Sequence, residues 1–167
     1  QMCIRDSSRS VAKNFDLIAM TESIVDDFNQ DAKNQKRNIS FKFVNEGKIK
    51  KALIFGIESR IEQVVANLLD NAVSFSPENS EIEIKIYLER NNFKISIKDQ
   101  GPGFDENNLE KVFERFYSDR PDDSEGTYSG LGLNIVKNLV DLHDGKIVAS
   151  NRLDGDGAIM EISFPTS

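Results

Sequence analysis

Two asparagines, Asn67 and Asn71, lie one helical turn apart in the stretch NLLDNA. Asparagine is a mediocre helix former because its amide competes for backbone hydrogen bonds. At this spacing both amides lie on one face of a helix. Amide oxygens are hard ligands that suit Mg²⁺, which completes its coordination shell with phosphates and water. The pair therefore indicates either a magnesium–phosphate site or a solvated polar face.

A carboxylate and two glycines, Asp99, Gly101 and Gly103, follow a predicted strand in the stretch DQGPGF. A partly shielded carboxylate can accept a hydrogen bond from an exocyclic amine such as that of adenine. A hydrogen bond to a charged group contributes about 1.5–3 kcal/mol. Glycines allow the backbone to approach a flat base closely. The alternative is an ordinary glycine turn that joins a strand to a helix.

The stretch VFERFY supplies Phe113, Arg115 and Tyr117, and Arg120 follows shortly after. Aromatic residues near a loop pack into the core more often than they contact a ligand. An arginine can reach a phosphate, because its guanidinium matches phosphate geometry. Each arginine could equally be exposed to solvent.

The stretch SGLGL, which consists of Ser129, Gly130, Leu131, Gly132 and Leu133, leads into a predicted helix. Small residues at this place favour an anion site, since free N–H groups and the helix dipole point at the ligand. The stretch matches neither the GxxxxGK[ST] phosphate loop nor the dinucleotide fingerprint. The alternative is a helix cap with flexible glycines.

Hydrophobic periodicity predicts the elements that position these residues. The strongest pattern covers residues 58–75, where apolar residues recur at helical spacing and the two asparagines fall on the polar side. Strict alternation predicts a hairpin of strands 82–88 and 93–99, which ends at the carboxylate. Further helices are predicted over 21–35, 106–116 and 131–143, and further strands over 39–44, 52–55, 146–150 and 158–164. This order predicts an α+β fold, a two-layer α/β sandwich with a mixed, mostly antiparallel sheet and helices on one face.

Composition excludes several classes of protein. The 28 acidic residues outnumber the 21 basic ones, and the net charge of −7 argues against a nucleic-acid partner. No apolar run approaches the roughly 18–20 residues of a membrane span. The single cysteine and single histidine exclude an internal disulfide and a typical zinc site. That histidine, His143, is expected to be a helix-terminus cation or capping residue rather than a phosphoryl acceptor.

Together the four stretches resemble the catalytic domain of bacterial sensor histidine kinases, within the wider family of gyrase, Hsp90 and MutL ATPases. EQVVANLLDNA resembles the N box, DQGPGF the first glycine box, VFERFY the F box and SGLGL the second glycine box. The resemblance covers about residues 15–165. The combination of NAVSFSP with FYSDRP is similar to the ChvG-type sensors of alphaproteobacteria.

The resemblance implies a Bergerat-type site for ATP and Mg²⁺. Asn71 would hold the metal with Asn67 beside it as the catalytic residue, and Asp99 would read the adenine amine. A mobile lid would span about residues 118–129. Ser74, Ser118 and Tyr128 depart from residues common in the family, and they leave open which cation contacts the γ-phosphate. The implied nucleotide-binding set is completed by Gly101, Gly103, Phe113, Arg115, Tyr117, Arg120, Ser129, Gly130, Leu131, Gly132 and Leu133.

The family's reaction transfers the γ-phosphoryl of ATP to a histidine on a separate dimerisation domain. No acceptor segment is recognisable here, so the chain is expected to bind and position ATP without supplying the nucleophile. Residues 1–14 are interpreted as a linker remnant and residues 15–167 as the catalytic domain of a longer protein. The implied partners are the parent's own dimerisation domain and a response regulator. The parent is expected to be a homodimer anchored in the bacterial inner membrane, with this domain in the cytoplasm.

Two other functions remain open from the sequence. The first is a hydrolysing ATPase of the gyrase, Hsp90 or MutL kind, in which a glutamate stands where this chain has Asn67 and activates water. An amide cannot act as that base, so Asn67 favours a kinase. The second is a degenerate module that binds a nucleotide or only a partner. The two asparagines, Asp99 and both glycine boxes argue against it.

Overall fold

Seven strands and four helices form the part of the chain that the structure, a computed structural model, describes: residues 11–114 and 132–167. The strands are β1 (Lys13–Asp16), β2 (Ser40–Asn45), β3 (Leu53–Gly56), β4 (Glu81–Glu89), β5 (Asn92–Lys98), β6 (Lys146–Asn151) and β7 (Ala158–Pro165). The helices are α1 (Leu17–Gln30), α2 (Ala32–Lys36), α3 (Glu58–Phe75) and α4 (Gly132–Leu142). None of these helices combines the length and apolar character that a membrane crossing requires.

The main sheet has five strands in the order β2-β4-β5-β7-β6. Strand β2 pairs in parallel with β4, and the other neighbours are antiparallel. Isoleucines from β4, β5 and β7 are buried on the face that the helices cover. The opposite face carries charged pairs such as Lys98 and Glu83, whose Nζ and Oε1 atoms are 3.8 Å apart. The predicted mixed sheet with helices on one face is confirmed.

Helix α3 begins and ends at the residues that the periodicity predicts. Its apolar stripe is buried against the sheet because residues three and four apart share one face of a helix. The two asparagines lie beside this stripe rather than opposite it, since Asn71 is buried and Asn67 is partly buried. The helix ends at Phe75, which contacts Gly101 in the loop after Asp99. The buried stripe consists of Ile61, Val64, Val65, Leu68, Leu69 and Ala72.

The N-terminal part of the fold differs from the prediction. The helix predicted over 21–35 is two helices, α1 and α2, because Asp31 adopts an extended conformation between them and caps α2 by accepting from the N–H of Lys33 (2.9 Å). Strand β1, which was not predicted, begins at Lys13 and pairs with β3 in a separate two-stranded sheet. Asp16 joins these parts, since its carboxylate accepts from the N–H groups of Ile18 and Ala52.

The helix predicted over 106–116 is also wrong within the described residues. Two 3-10 turns take its place, Glu106–Asn108 and Lys111–Phe113. The first is capped by Asp105, whose side chain accepts from the N–H of Asn107 (3.0 Å). Short 3-10 turns of this kind are common as connectors, and helical periodicity over so few residues does not distinguish them from an α-helix.

The buried residue Thr21 in α1 is a position at which a substitution is expected to stabilise the fold. Its side chain is 0% exposed, and its hydroxyl has no hydrogen-bond partner within the described residues. An unsatisfied buried hydroxyl costs about 1–3 kcal/mol, and valine has nearly the same shape and helix propensity. We therefore expect Thr21→Val to raise the free energy of unfolding by about 1 kcal/mol, measured by urea denaturation. Thr21→Ser, which keeps the hydroxyl and loses a methyl group, should lower it; equal stability of the valine and wild-type chains would contradict the explanation.

Candidate functional site

Asp99 lies directly after β5 and is 4% exposed. Its N–H donates to the carbonyl of Ala158 (3.0 Å), which extends the pairing of β5 with β7. Its Oδ1 accepts from the N–H groups of Gly101 (2.9 Å) and Ala158 (3.0 Å). The carboxylate is therefore fixed by two backbone donors at the end of β5, the central strand of the sheet.

The second carboxylate oxygen of Asp99, Oδ2, accepts no hydrogen bond from the described part of the chain. Both hydrogen bonds that the described part of the chain donates to this carboxylate end on Oδ1. Burial raises the pKa of Asp99, while the backbone donors and the charge of Arg152 act in the opposite direction. A buried acceptor held in one orientation can select a ligand that presents an amine, since an amine placed opposite Oδ2 replaces the water that burial removes.

The two glycines of the loop after β5 are required by close packing and by backbone conformation. A Cβ at Gly101 would lie 2.5 Å from the carbonyl oxygen of Phe75, at the end of α3. Gly103 has φ +80°, and a Cβ there would lie 2.7 Å from Oδ1 of Asn151. The sequence analysis predicted that both glycines allow a nucleotide base to approach the backbone. In the structure, the atoms that a Cβ would meet at each position belong to the protein itself.

The two amides on α3 lack partners in the described residues. Asn71 is only 9% exposed, and Asn67 is partly buried. Buried polar side chains are nearly always hydrogen-bonded, so the amide of Asn71 is a candidate group for binding a ligand. Ser74, at the position where the family often has a lysine, donates its hydroxyl to the carbonyl of Asn71 (2.8 Å).

The carboxylate and the amides lie at the same edge of the molecule. Gly101, two residues after Asp99, packs on Phe75, which is one helical turn beyond Asn71. The rings of Phe75 and Phe104 meet edge to face with centroids 6.1 Å apart. The end of α3 and the loop after β5 are therefore in direct contact, as a shared nucleotide cavity requires.

The other residues predicted to bind the nucleotide are not brought to Asp99 and Asn71 by any contact within the described residues. Phe113 is partly buried, and its carbonyl accepts from Nδ2 of Asn134 in α4 (3.3 Å). Leu133 packs against the core, and Gly132 is exposed, with no atom of the described residues within 4 Å of the place that a Cβ would take. The other predicted residues, and the predicted lid over 118–129, lie outside the described residues; the individual positions are Arg115, Tyr117, Arg120, Ser129, Gly130 and Leu131.

Both ring nitrogens of His143 make hydrogen bonds to the protein backbone. Its Nε2 accepts from the N–H of Ile57 (3.1 Å), and its Nδ1 donates to the carbonyl of Leu139 (2.8 Å). The ring caps a carbonyl near the end of α4, in agreement with the capping alternative of the prediction. His143 joins α4 to the start of α3.

Two residues that contact the loop after β5 were not identified from the sequence. Asn151 and Arg152, at the end of β6, hydrogen-bond to the backbone of Phe104 and Asp99 respectively. They lie about 50 positions further along the chain. The only signal was a pair of polar residues before the Gly-Asp-Gly turn.

Comparisons with known proteins agree with this arrangement. A family model described as histidine kinase-, DNA gyrase B- and HSP90-like ATPase matches residues 56–167. The sensor protein ChvG of Rhizobium meliloti is 33% identical over 165 residues, which cover 96% of this chain and 28% of that protein. The chain thus spans little more than a quarter of that relative, and the predicted similarity to ChvG-type sensors is confirmed.

Solved structures of similar fold are catalytic domains of histidine kinases. The nucleotide-free catalytic domain of histidine kinase ThkA has a TM-score of 0.80 and 29% identity over 93% of this chain and 96% of that one. The structure of ThkA in complex with the response regulator protein TrrA has a TM-score of 0.76 and 26% identity, over 93% of this chain and 42% of that one.

Proposed function

Because the chain belongs to the histidine kinase-, DNA gyrase B- and HSP90-like ATPase family, we propose that it binds Mg-ATP and donates the γ-phosphoryl group to a histidine on a separate dimerisation domain. The observation that carries the proposal is the position of two polar groups close to the contact between α3 and the loop after β5. One is Oδ2 of the buried Asp99 and the other is the side-chain amide of Asn71, and neither has a hydrogen-bond partner among the described residues.

These groups suit the two ends of Mg-ATP. Asp99 accepts from the adenine amine through Oδ2, because Oδ1 is already occupied by two backbone donors. Asn71, about one turn from the contact between α3 and the loop, offers its amide oxygen to the metal. Mg²⁺, when bound, neutralises charge on the phosphates during transfer. The rest of catalysis is positioning, which the fixed carboxylate and helix provide.

Asn67 determines where the phosphoryl group goes. An amide has no basic lone pair that could take a proton from water, so it does not activate water for attack. The bound nucleotide is thereby preserved for a histidine supplied by another domain. Within this proposal the partners are the parent protein's dimerisation domain and a response regulator, the kind of protein that ThkA binds in its complex with TrrA. The parent is proposed to be a homodimer anchored in the inner membrane.

The test compares hydrolysis with transfer. We expect the 167-residue chain to bind Mg-ATP but to release phosphate at a negligible rate, while phosphorylating the acceptor domain encoded in its parent protein. Asn67→Glu introduces the missing base and should raise phosphate release by about 100-fold or more, in line with the usual contribution of a positioned general base. Phosphate release is measured with a coupled enzyme assay, and transfer with γ-labelled ATP.

Three outcomes would redirect the assignment. Rapid phosphate release by the wild-type chain would place it among the hydrolysing ATPases. Mg-ATP binding without transfer to the acceptor domain would indicate a nucleotide-binding regulatory module. Failure to bind any nucleotide would leave a degenerate, partner-binding domain and would overturn the proposal.

A further inference from the structure

The end of β6 contacts both ends of the glycine loop, which we define as residues 99–104. Asn151 makes two hydrogen bonds to Phe104, donating from Nδ2 to its carbonyl (2.8 Å) and accepting at Oδ1 from its N–H (2.7 Å). The side-chain amide therefore substitutes for a neighbouring strand and satisfies both backbone groups of Phe104.

Arg152 holds the other end of the glycine loop. Its Nη1 donates to the carbonyl of Asp99 (3.2 Å), and its Nε donates to Oδ1 of Asp154 (3.0 Å), which orients the guanidinium. Its own N–H donates to the carbonyl of Gly157 (2.9 Å), so its backbone is fixed within the turn between β6 and β7. The charge of Arg152 also favours the ionised form of Asp99.

We propose that Asn151 and Arg152 are positioning residues that set the base selectivity of the nucleotide site, an inference that rests on the proposed function. Selecting a base by one carboxylate oxygen requires that oxygen to be held within about 0.5 Å of its place. The glycine loop contains Gly103 in a left-handed conformation and leaves the sheet immediately after Asp99. Asn151 and Arg152 fix the first and last residues of the loop, and so fix the direction of Asp99.

The chain contains a matched control for Asn151. Asn45 makes the same double contact with Ile49, donating from Nδ2 to its carbonyl (2.8 Å) and accepting at Oδ1 from its N–H (2.9 Å). Asn45 is not next to Asp99 in the sheet. Asn45 lies opposite Ile86 of β4, whereas Lys98, the residue before Asp99, lies opposite Glu83 of the same strand. The two asparagines thus make the same pair of hydrogen bonds, but only Asn151 makes them to the glycine loop.

The experiment measures the dissociation constants of Mg-ATP and Mg-ITP by calorimetry for the 167-residue chain. ITP carries a carbonyl where ATP carries the amine, so the ratio of the two constants reports the alignment of Asp99. We expect Asn151→Ala to weaken ATP binding about tenfold and to reduce the preference for ATP over ITP. Arg152→Met, which keeps the aliphatic stem, should change both quantities in the same direction and serves if Asn151→Ala does not fold.

The control separates positioning from general stability. Asn45→Ala should lower the thermal stability about as much as Asn151→Ala does, yet leave ATP affinity and selectivity at wild-type values. Wild-type selectivity in both Asn151→Ala and Arg152→Met would overturn the inference while leaving the proposed function intact. A wild-type chain that binds neither nucleotide would overturn the proposed function, and the inference with it.

Discussion

Replacing Asp99 with asparagine is expected to weaken Mg-ATP binding by at least about 100-fold. The amide oxygen can still accept from the N–H groups of Gly101 and Ala158, so the loop keeps its two backbone bonds. The amide NH₂ then stands where Oδ2 stood and faces the adenine amine as a second donor. The variant loses a hydrogen bond to a charged acceptor. It also places two donors, the side-chain NH₂ and the adenine amine, opposite each other with no acceptor between them. Isothermal titration calorimetry measures the effect directly.

The same substitution should leave the fold at least as stable at neutral pH. Burial raises the pKa of Asp99 above its ordinary value, so the folded chain binds the proton more tightly than the unfolded chain does. This carboxylate therefore lowers stability as pH rises through the interval between the two pKa values. Asparagine carries no charge, so it removes this destabilising contribution at neutral pH. We expect an unfolding temperature equal to or above that of the wild type, measured by circular dichroism, together with the loss of binding.

A charge-matched control makes this result specific. Asp156→Asn removes the same charge from an exposed position in the turn between β6 and β7, and it should leave ATP affinity unchanged. Wild-type affinity in Asp99→Asn would contradict the role of Asp99 in reading adenine. Loss of affinity accompanied by unfolding would point instead to a purely structural carboxylate.

Periodicity predicted the elements that bury one continuous face. Helix α3 and the hairpin of β4 and β5 have long, regular apolar patterns, and their bounds agree with the prediction within a residue. Strand β1 has four residues, and its pairing with β3 depends on contacts between distant segments that no local pattern records. The break between α1 and α2 depends on the backbone of one residue, Asp31.

The candidate site was predictable only in part, for a physical reason. Asn71 and Asp99 lie in motifs whose residue types carry the chemistry, so the type and spacing predicted a role. Asn151 and Arg152 act on the backbone of the glycine loop, and backbone contacts place few demands on which residue types provide them. The opposite case is His143. Histidine is a residue type that often serves in catalysis, but here its ring joins α4 to the start of α3.

Replacing Asn71 with alanine is expected to remove the Mg²⁺ dependence of nucleotide binding and to slow phosphoryl transfer by at least about 100-fold, since metal charge stabilisation is worth several kcal/mol. Binding of metal-free nucleotide should survive, because in the proposed function Asp99 holds the adenine end. Calorimetry with Mg²⁺ and with EDTA separates these two contributions. Transfer is measured on the acceptor domain with labelled ATP.

Stability should move in the opposite direction to activity. The amide of Asn71 has no partner within the described residues, so its removal breaks no protein hydrogen bond there, and alanine raises helix propensity by about 0.5 kcal/mol. Gln63→Ala, at an exposed position on the same helix, is the control and should alter neither metal dependence nor transfer. An Asn71→Ala chain that keeps wild-type Mg²⁺ dependence would remove this residue from the metal site. Within the part of the chain that the structure describes, the nearly buried amide of Asn71 has no partner, and the proposed metal would satisfy it.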